Sequence, residues 1–122
     1  MERNFIALGA FSGFLAVAAG AFGAHALRRR VAEDLLAVFQ TGAQYHMFHA
    51  LALIAAGLVG LRAPSGAARA AGWLFLIGTV LFSGSLYALA LTGMRKLGAI
   101  TPIGGTAFLA GWIALAWAAW RS

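Results

Sequence analysis

Apolar residues fall into four long runs, separated by short charged or turn-forming segments. The runs cover Phe5–Leu27, Leu35–Leu61, Ala70–Met94 and Leu97–Trp120. A helix of about 20 apolar residues crosses a bilayer core about 30 Å thick, and each run is long enough to do so. The pattern therefore predicts an all-α, polytopic membrane protein in which four transmembrane helices pack as a compact bundle, forming a single domain over residues 1–122.

The first and fourth runs each have an end that could be assigned in two ways. The first run exceeds the roughly 7–15 apolar residues usual in a signal peptide, so we expect it to remain as a span. The fourth helix is expected to begin at Pro102, because Thr101 can cap free backbone N–H groups and proline suits the first helical turn. The predicted spans are then approximately 5–27, 35–61, 70–94 and 102–120.

Composition supports a membrane protein. Hydrophobic residues make up 62% and charged residues 10% of the chain, against roughly 45–50% and 25% in soluble domains. The net charge is +6, yet every basic residue falls outside the predicted spans. That placement is typical of charges flanking membrane spans, and it argues against nucleic acid as a partner. With no cysteine, the chain has no disulfide and no thiolate ligand.

An even number of spans puts both termini on one face of the membrane, which we call side A; the opposite face is side B. Side A carries four basic residues and side B five, so the positive-inside rule does not decide the orientation. Trp73, Trp117 and Trp120 all fall at the side A interface, where tryptophan is favoured. Glu33 and Asp34 are expected to pair loosely with Arg28–Arg30 on side B.

Small residues recur at helical spacing inside the spans and predict close helix–helix contacts, because lipid supplies no hydrophobic drive for helix association. A compact bundle follows, and a homo-oligomer or a larger membrane complex is plausible. The stripes are Gly9, Gly13, Ala16, Gly20 and Ala24 in the first span, Gly78, Ser83, Gly84 and Ser85 in the third, and Gly104, Ala107, Gly111, Ala114 and Ala118 in the fourth.

Uncharged polar residues concentrate in the side B half of the predicted bundle. Polar groups within a membrane are costly, so their collection suggests a pocket for a ligand or partner. The alternative is that these groups hydrogen-bond between helices and lock the bundle. The residues are His25, Gln40, Thr41, Gln44, Tyr45, His46, His49, Ser83, Ser85, Tyr87 and Thr101.

Other chemistry has less support. No carboxylate lies inside a span, which argues against proton coupling and against hydrolysis, so we expect no catalytic residue and no enzyme. No metal site or cofactor is predicted; haem or a metal held by His25, His46 and His49 is an alternative. Arg95 and Lys96 are candidates for binding a lipid phosphate.

Four sequence blocks resemble a family of small bacterial membrane proteins, the domain of unknown function 423 family, which is related to the eukaryotic transmembrane protein 256. The blocks are Gly20–Leu27, Thr41–Leu53, Leu81–Tyr87 and Ile100–Gly105. The resemblance implies a four-helix protein of the bacterial inner membrane with both termini in the cytoplasm. It implies no activity and no catalytic residue.

The sequence therefore favours a non-enzymatic accessory or scaffold subunit that binds a partner, a lipid or a hydrophobic ligand at the side B cluster. Two alternatives stay open. One is a small-molecule transporter or channel, although the side A half has no polar lining. The other is a haem- or quinone-binding redox protein.

Overall fold

The chain is almost entirely helical. The computed structural model describes all residues, Met1–Ser122. A π-helical turn at Thr79–Ser83 joins α3 to α4, so that the two form one continuous third span. The predicted all-α fold with four membrane-spanning helices is confirmed. The helices are α1 Glu2–Ala24, α2 Glu33–Arg62, α3 Gly66–Gly78, α4 Gly84–Thr92 and α5 Thr101–Arg121.

The four spans pack mainly in chain order. The α1 helix lies along α2, α2 packs against the third span, and the third span packs along α5. Only a small contact joins α2 to α5, and α1 shares no comparable interface with α5. The apolar core lies where the spans meet and consists of Phe5, Ala52, Leu53, Ala56, Ala71, Phe75 and Phe108. The second and third spans are therefore central, and α1 and α5 are the outer helices.

Glycines allow the helix backbones to approach closely. A Cβ atom added to Gly9 would lie 2.6 Å from Ile54 Cγ1, and one added to Gly57 would lie 2.7 Å from Ile6 Cγ1. In the fourth span, a Cβ on Gly104 would collide with the backbone of Phe82. Gly20, by contrast, has nothing within 4 Å of its missing Cβ. Close approach at small residues replaces the hydrophobic drive that lipid cannot supply.

The fourth helix begins within one residue of the predicted start but lacks the predicted cap. Thr101 is the first residue of α5, Ile100 occupies the capping position, and no side chain caps the helix. The Thr101 hydroxyl is instead 2.6 Å from the Ser85 hydroxyl of α4. The predicted capping role of Thr101 was wrong, because a hydroxyl on a neighbouring span competes for the same side chain.

The expected pairing of Asp34 with Arg28–Arg30 was also wrong. Asp34 Oδ2 accepts a hydrogen bond of 2.7 Å from Arg95 Nη2, in the segment before α5. That bond lowers the pKa of the Asp34 carboxyl below its ordinary value. Both side chains are mostly exposed, so the pair ties the start of α2 loosely to the last loop.

Candidate functional site

The polar residues predicted to gather on side B separate into distinct surroundings. Some form hydrogen bonds between spans, some lie on an exposed face of α2, and His25 stands apart at the end of α1. His25 is exposed, and its Nδ1 donates to the carbonyl of Ala21 within its own helix, 2.9 Å away. It therefore does not meet His46 or His49.

His46 links three spans. The buried His46 ring lies 2.8 Å from the Tyr87 hydroxyl through Nδ1 and 2.9 Å from the Ser12 hydroxyl through Nε2. In a neutral imidazole one ring nitrogen donates and the other accepts, and a hydroxyl can do either, so the ring bonds both hydroxyls at once. Ser12 was missed from the sequence; its signal is that it is the one hydroxyl within the first apolar run.

The π-helical turn places two serines against neighbouring spans. Ser83 donates to the carbonyl of Gly42 on α2 over 2.7 Å and is buried. Ser85, two residues later, lies 2.6 Å from Thr101 on α5. These contacts, together with the bonds of His46, are the interhelical locking that small polar residues provide in membranes.

His49 joins α2 to α5 through an aromatic cluster. Its Nδ1 donates to the Tyr45 carbonyl over 2.7 Å, and its Nε2 accepts a hydrogen bond of 3.0 Å from Trp112 Nε1. The imidazole stacks on Phe108 with ring centroids 3.4 Å apart and planes 8° from parallel. Trp112 was missed, although its position midway along the last apolar run, away from either interface, is a signal for a buried partner.

A groove lies beside His49, between α2 and α5. Its volume is about 600 Å³, and nine of its eleven lining residues are hydrophobic. The lining consists of Tyr45, Phe48, His49, Leu51, Ala52, Ala55, Phe82, Gly105, Phe108, Leu109 and Trp112. Several of these side chains are exposed on the outer surface of the bundle, so the groove opens sideways to the bilayer. A smaller cavity of about 300 Å³ lies between α1 and the third span, beside His46.

The chemistry of the histidines bears on the haem or metal alternative. A ring nitrogen that ligates a metal needs a free lone pair. Both nitrogens of His46 and both nitrogens of His49 already have hydrogen-bond partners within the chain. No group of three or more histidine and carboxylate side chains is arranged to hold a metal ion. A role for these histidines in haem or metal binding stays a prediction.

Comparisons with known proteins agree on one family. The profile described as "Protein of unknown function (DUF423)" matches residues 19–105. The chain is 51% identical over 118 residues to the UPF0382 membrane protein YwdK of Bacillus subtilis, covering 96% of each protein. It is 46% identical over 122 residues to a UPF0382 membrane protein of Haemophilus influenzae, covering 100% of this chain and 98% of the relative. No solved structure matches the chain. The predicted family is confirmed, and the chain belongs to the DUF423 family of membrane proteins.

Proposed function

We propose that the protein is a non-enzymatic membrane protein that binds a lipid or another hydrophobic ligand in the groove between α2 and α5. The observation that carries the proposal is the groove itself, which at about 600 Å³ has the size of a small-molecule site. Because the groove opens to the bilayer, its ligand would enter from the hydrocarbon of the membrane.

One polar group in the groove is free to orient a ligand. Tyr45 lines the groove, and its hydroxyl has no hydrogen-bond partner within the chain, whereas both nitrogens of His49 are already bound. A ligand with a long apolar body and one hydrogen-bonding oxygen fits this lining. For a phospholipid, the cation of Lys96 on side B would meet the phosphate, with Arg95 shared between Asp34 and the lipid.

The apolar core favours binding over passage. Phe5, Leu53, Phe75 and Phe108 pack between the spans, so polar side chains do not continue from the side B half toward side A. A ligand that enters from the bilayer and stays is compatible with an accessory or scaffold subunit. A transported solute would need a path lined by polar groups, and these apolar residues do not provide one.

Filling the groove tests the proposal. Gly105→Leu should place an isobutyl group in the groove, because the nearest atom to its missing Cβ is 3.8 Å away and belongs to the Phe82 side chain. We expect at least a tenfold loss in labelling by a photoreactive fatty acid, with helix content unchanged. The measurement is ultraviolet cross-linking in vesicles, followed by peptide mapping to α2 and α5.

Gly20→Leu is the matched control, because Gly20 has nothing within 4 Å of its missing Cβ and does not line the groove. Its labelling should equal that of the native chain. Equal labelling of the native chain and Gly105→Leu, or labelling that maps outside α2 and α5, would show that the groove is not the binding site.

We also propose that the protein resides in the bacterial inner membrane with both termini in the cytoplasm, on the support of the family resemblance. Side B then faces the periplasm. In intact cells, a membrane-impermeant maleimide should label Lys96→Cys and not Ser122→Cys; after the membrane is opened it should label both. The reverse labelling pattern would show that both termini lie outside the cytoplasm. The chain has no native cysteine, so labelling of the purified chain reports only the introduced residue.

A further inference from the structure

The hydroxyl, imidazole and carboxamide side chains inside the spans are satisfied within the chain, with one local exception. Hydroxyl and imidazole groups elsewhere in the spans make hydrogen bonds, at Ser12, His46, His49, Thr79, Ser83, Ser85, Tyr87, Thr92, Thr101 and Thr106. The side chains of Gln40, Thr41, Gln44 and Tyr45 make none, and all four lie within about one and a half turns of α2. Tyr45 lines the groove, so the unpaired side chains outside the groove are those of Gln40, Thr41 and Gln44.

Gln44 points directly away from the bundle. Successive residues of a helix turn by about 100°, and this spacing puts Gln44 opposite the middle of the buried face of α2, which contains His46, His49, Leu53 and Gly60. Gln40 lies nearer α1: a Cβ added to Gly23 would be 3.9 Å from its Cγ. Gln44 is therefore the side chain whose carboxamide faces the surrounding lipid.

The helix length places Gln44 within the hydrocarbon. The α2 helix has 30 residues and is roughly 45 Å long, compared with a hydrocarbon core of about 30 Å. Gln44 lies roughly 16 Å along the helix from Glu33. If the excess length is shared between the two ends, its Cα lies roughly 9 Å inside the core. An unpaired carboxamide at that depth is costly, and it gains by meeting a hydrogen-bonding group on another chain.

The outward face of α2 has the spacing of a helix–helix seam. Exposed or half-exposed side chains recur at alternating intervals of four and three residues, the spacing at which two helices pack with a left-handed twist. Small side chains along the seam permit close approach, and Gln44 is its one carboxamide. The seam consists of Ala37, Thr41, Gln44, Phe48, Leu51, Ala55 and Leu58.

From these observations we propose that this face of α2 pairs with the same face of a second copy of the chain. Two copies inserted in the same orientation are related by a two-fold axis along the membrane normal, so the two α2 helices run parallel and Gln44 meets its own copy. A carboxamide both donates and accepts, and is therefore complementary to itself. Phe48, Leu51 and Ala55 belong both to the seam and to the groove lining, so the second copy would lie beside the mouth of the groove.

Cysteine cross-linking tests the pairing. Because the native chain has no cysteine, any disulfide must involve the introduced residue. In native membranes treated with copper phenanthroline, Gln44→Cys should form a disulfide-linked product of twice the 12.7 kDa chain mass. The matched controls are Phe14→Cys on α1 and Leu109→Cys on α5, native side chains that are 67% and 68% exposed but lie outside the seam. These should remain monomeric.

Removal of the carboxamide gives an independent measurement. Förster transfer between chains labelled at Ser122→Cys reports association in vesicles. Gln44→Leu should weaken the association constant about 3- to 30-fold, the effect of one interhelical hydrogen bond in a membrane, while Gln44→Asn should retain most of it. The proposal is overturned if Gln44→Cys cross-links no better than the controls, if it is trapped on a different protein, or if Gln44→Leu associates as strongly as the native chain.

Discussion

Gly9→Leu is expected to lower the free energy of unfolding by about 1–3 kcal/mol, the usual range for overpacking a tight contact. A Cβ at this position would lie 2.6 Å from Ile54 Cγ1 and 2.9 Å from the carbonyl oxygen of Ala50. The side chain of Ile54 can rotate, but the carbonyl belongs to the backbone of α2. Since a backbone cannot yield without moving the helix, α1 must separate from α2.

Thermal unfolding in detergent, followed by circular dichroism, measures the effect. Gly20→Leu is the matched control: it makes the same change in the same helix where nothing lies within 4 Å, and we expect a change within about 0.5 kcal/mol. Equal unfolding temperatures for the two variants would mean that the close contact between α1 and α2 contributes nothing to stability.

His46→Leu is expected to lower the free energy of unfolding by about 1–3 kcal/mol, because it leaves the hydroxyls of Tyr87 and Ser12 without their partner. The two hydroxyls lie on different spans, 2.8 Å and 2.9 Å from the ring nitrogens. The loss should therefore loosen α1 and the third span from α2 together.

A double-mutant cycle with Tyr87→Phe isolates the hydrogen bond from the change in packing. We expect a coupling energy of about 0.6–2 kcal/mol between the His46 and Tyr87 positions. Tyr45→Phe removes the same hydroxyl from a tyrosine that has no partner within the chain, and its coupling to His46→Leu should be near zero. Zero coupling in both cycles would show that the His46–Tyr87 contact adds no stability.

Much of the fold could be predicted from the sequence, because hydropathy depends only on local composition. Runs of apolar residues near bilayer length, bounded by Arg28–Asp34, Arg62–Arg69 and Arg95–Lys96, determine the number of spans. Glycine spacing also carried information: Gly9, Gly104 and Gly111 lie against neighbouring helices. The same spacing was less informative at Gly20 and Gly84, where no other helix lies within 4 Å of the missing Cβ. A small residue permits a neighbouring helix to approach but does not require it to do so.

The pairing of polar groups could not be predicted in the same way. Hydropathy placed the polar residues in the side B half, but which helix faces which depends on the rotation of each helix about its axis. Thr101 therefore pairs with Ser85 where a cap was expected, and Asp34 pairs with Arg95, far away in sequence. The His49–Trp112 bond likewise depends on the lateral placement of α5, which no periodicity within one span specifies.

The π-helical turn at Thr79–Ser83 means that the third span holds one more residue than a regular helix over the same path. The N–H of Gly84 reaches back to the carbonyl of Thr79, five residues away. Without the extra residue, everything after the turn would rotate by about 100°. Ser85 would then lose its contact with Thr101, and Tyr87 would lose its contact with His46. In evolutionary terms, this turn is where a single-residue deletion would leave a continuous helix yet erase the polar contacts of one half of the molecule.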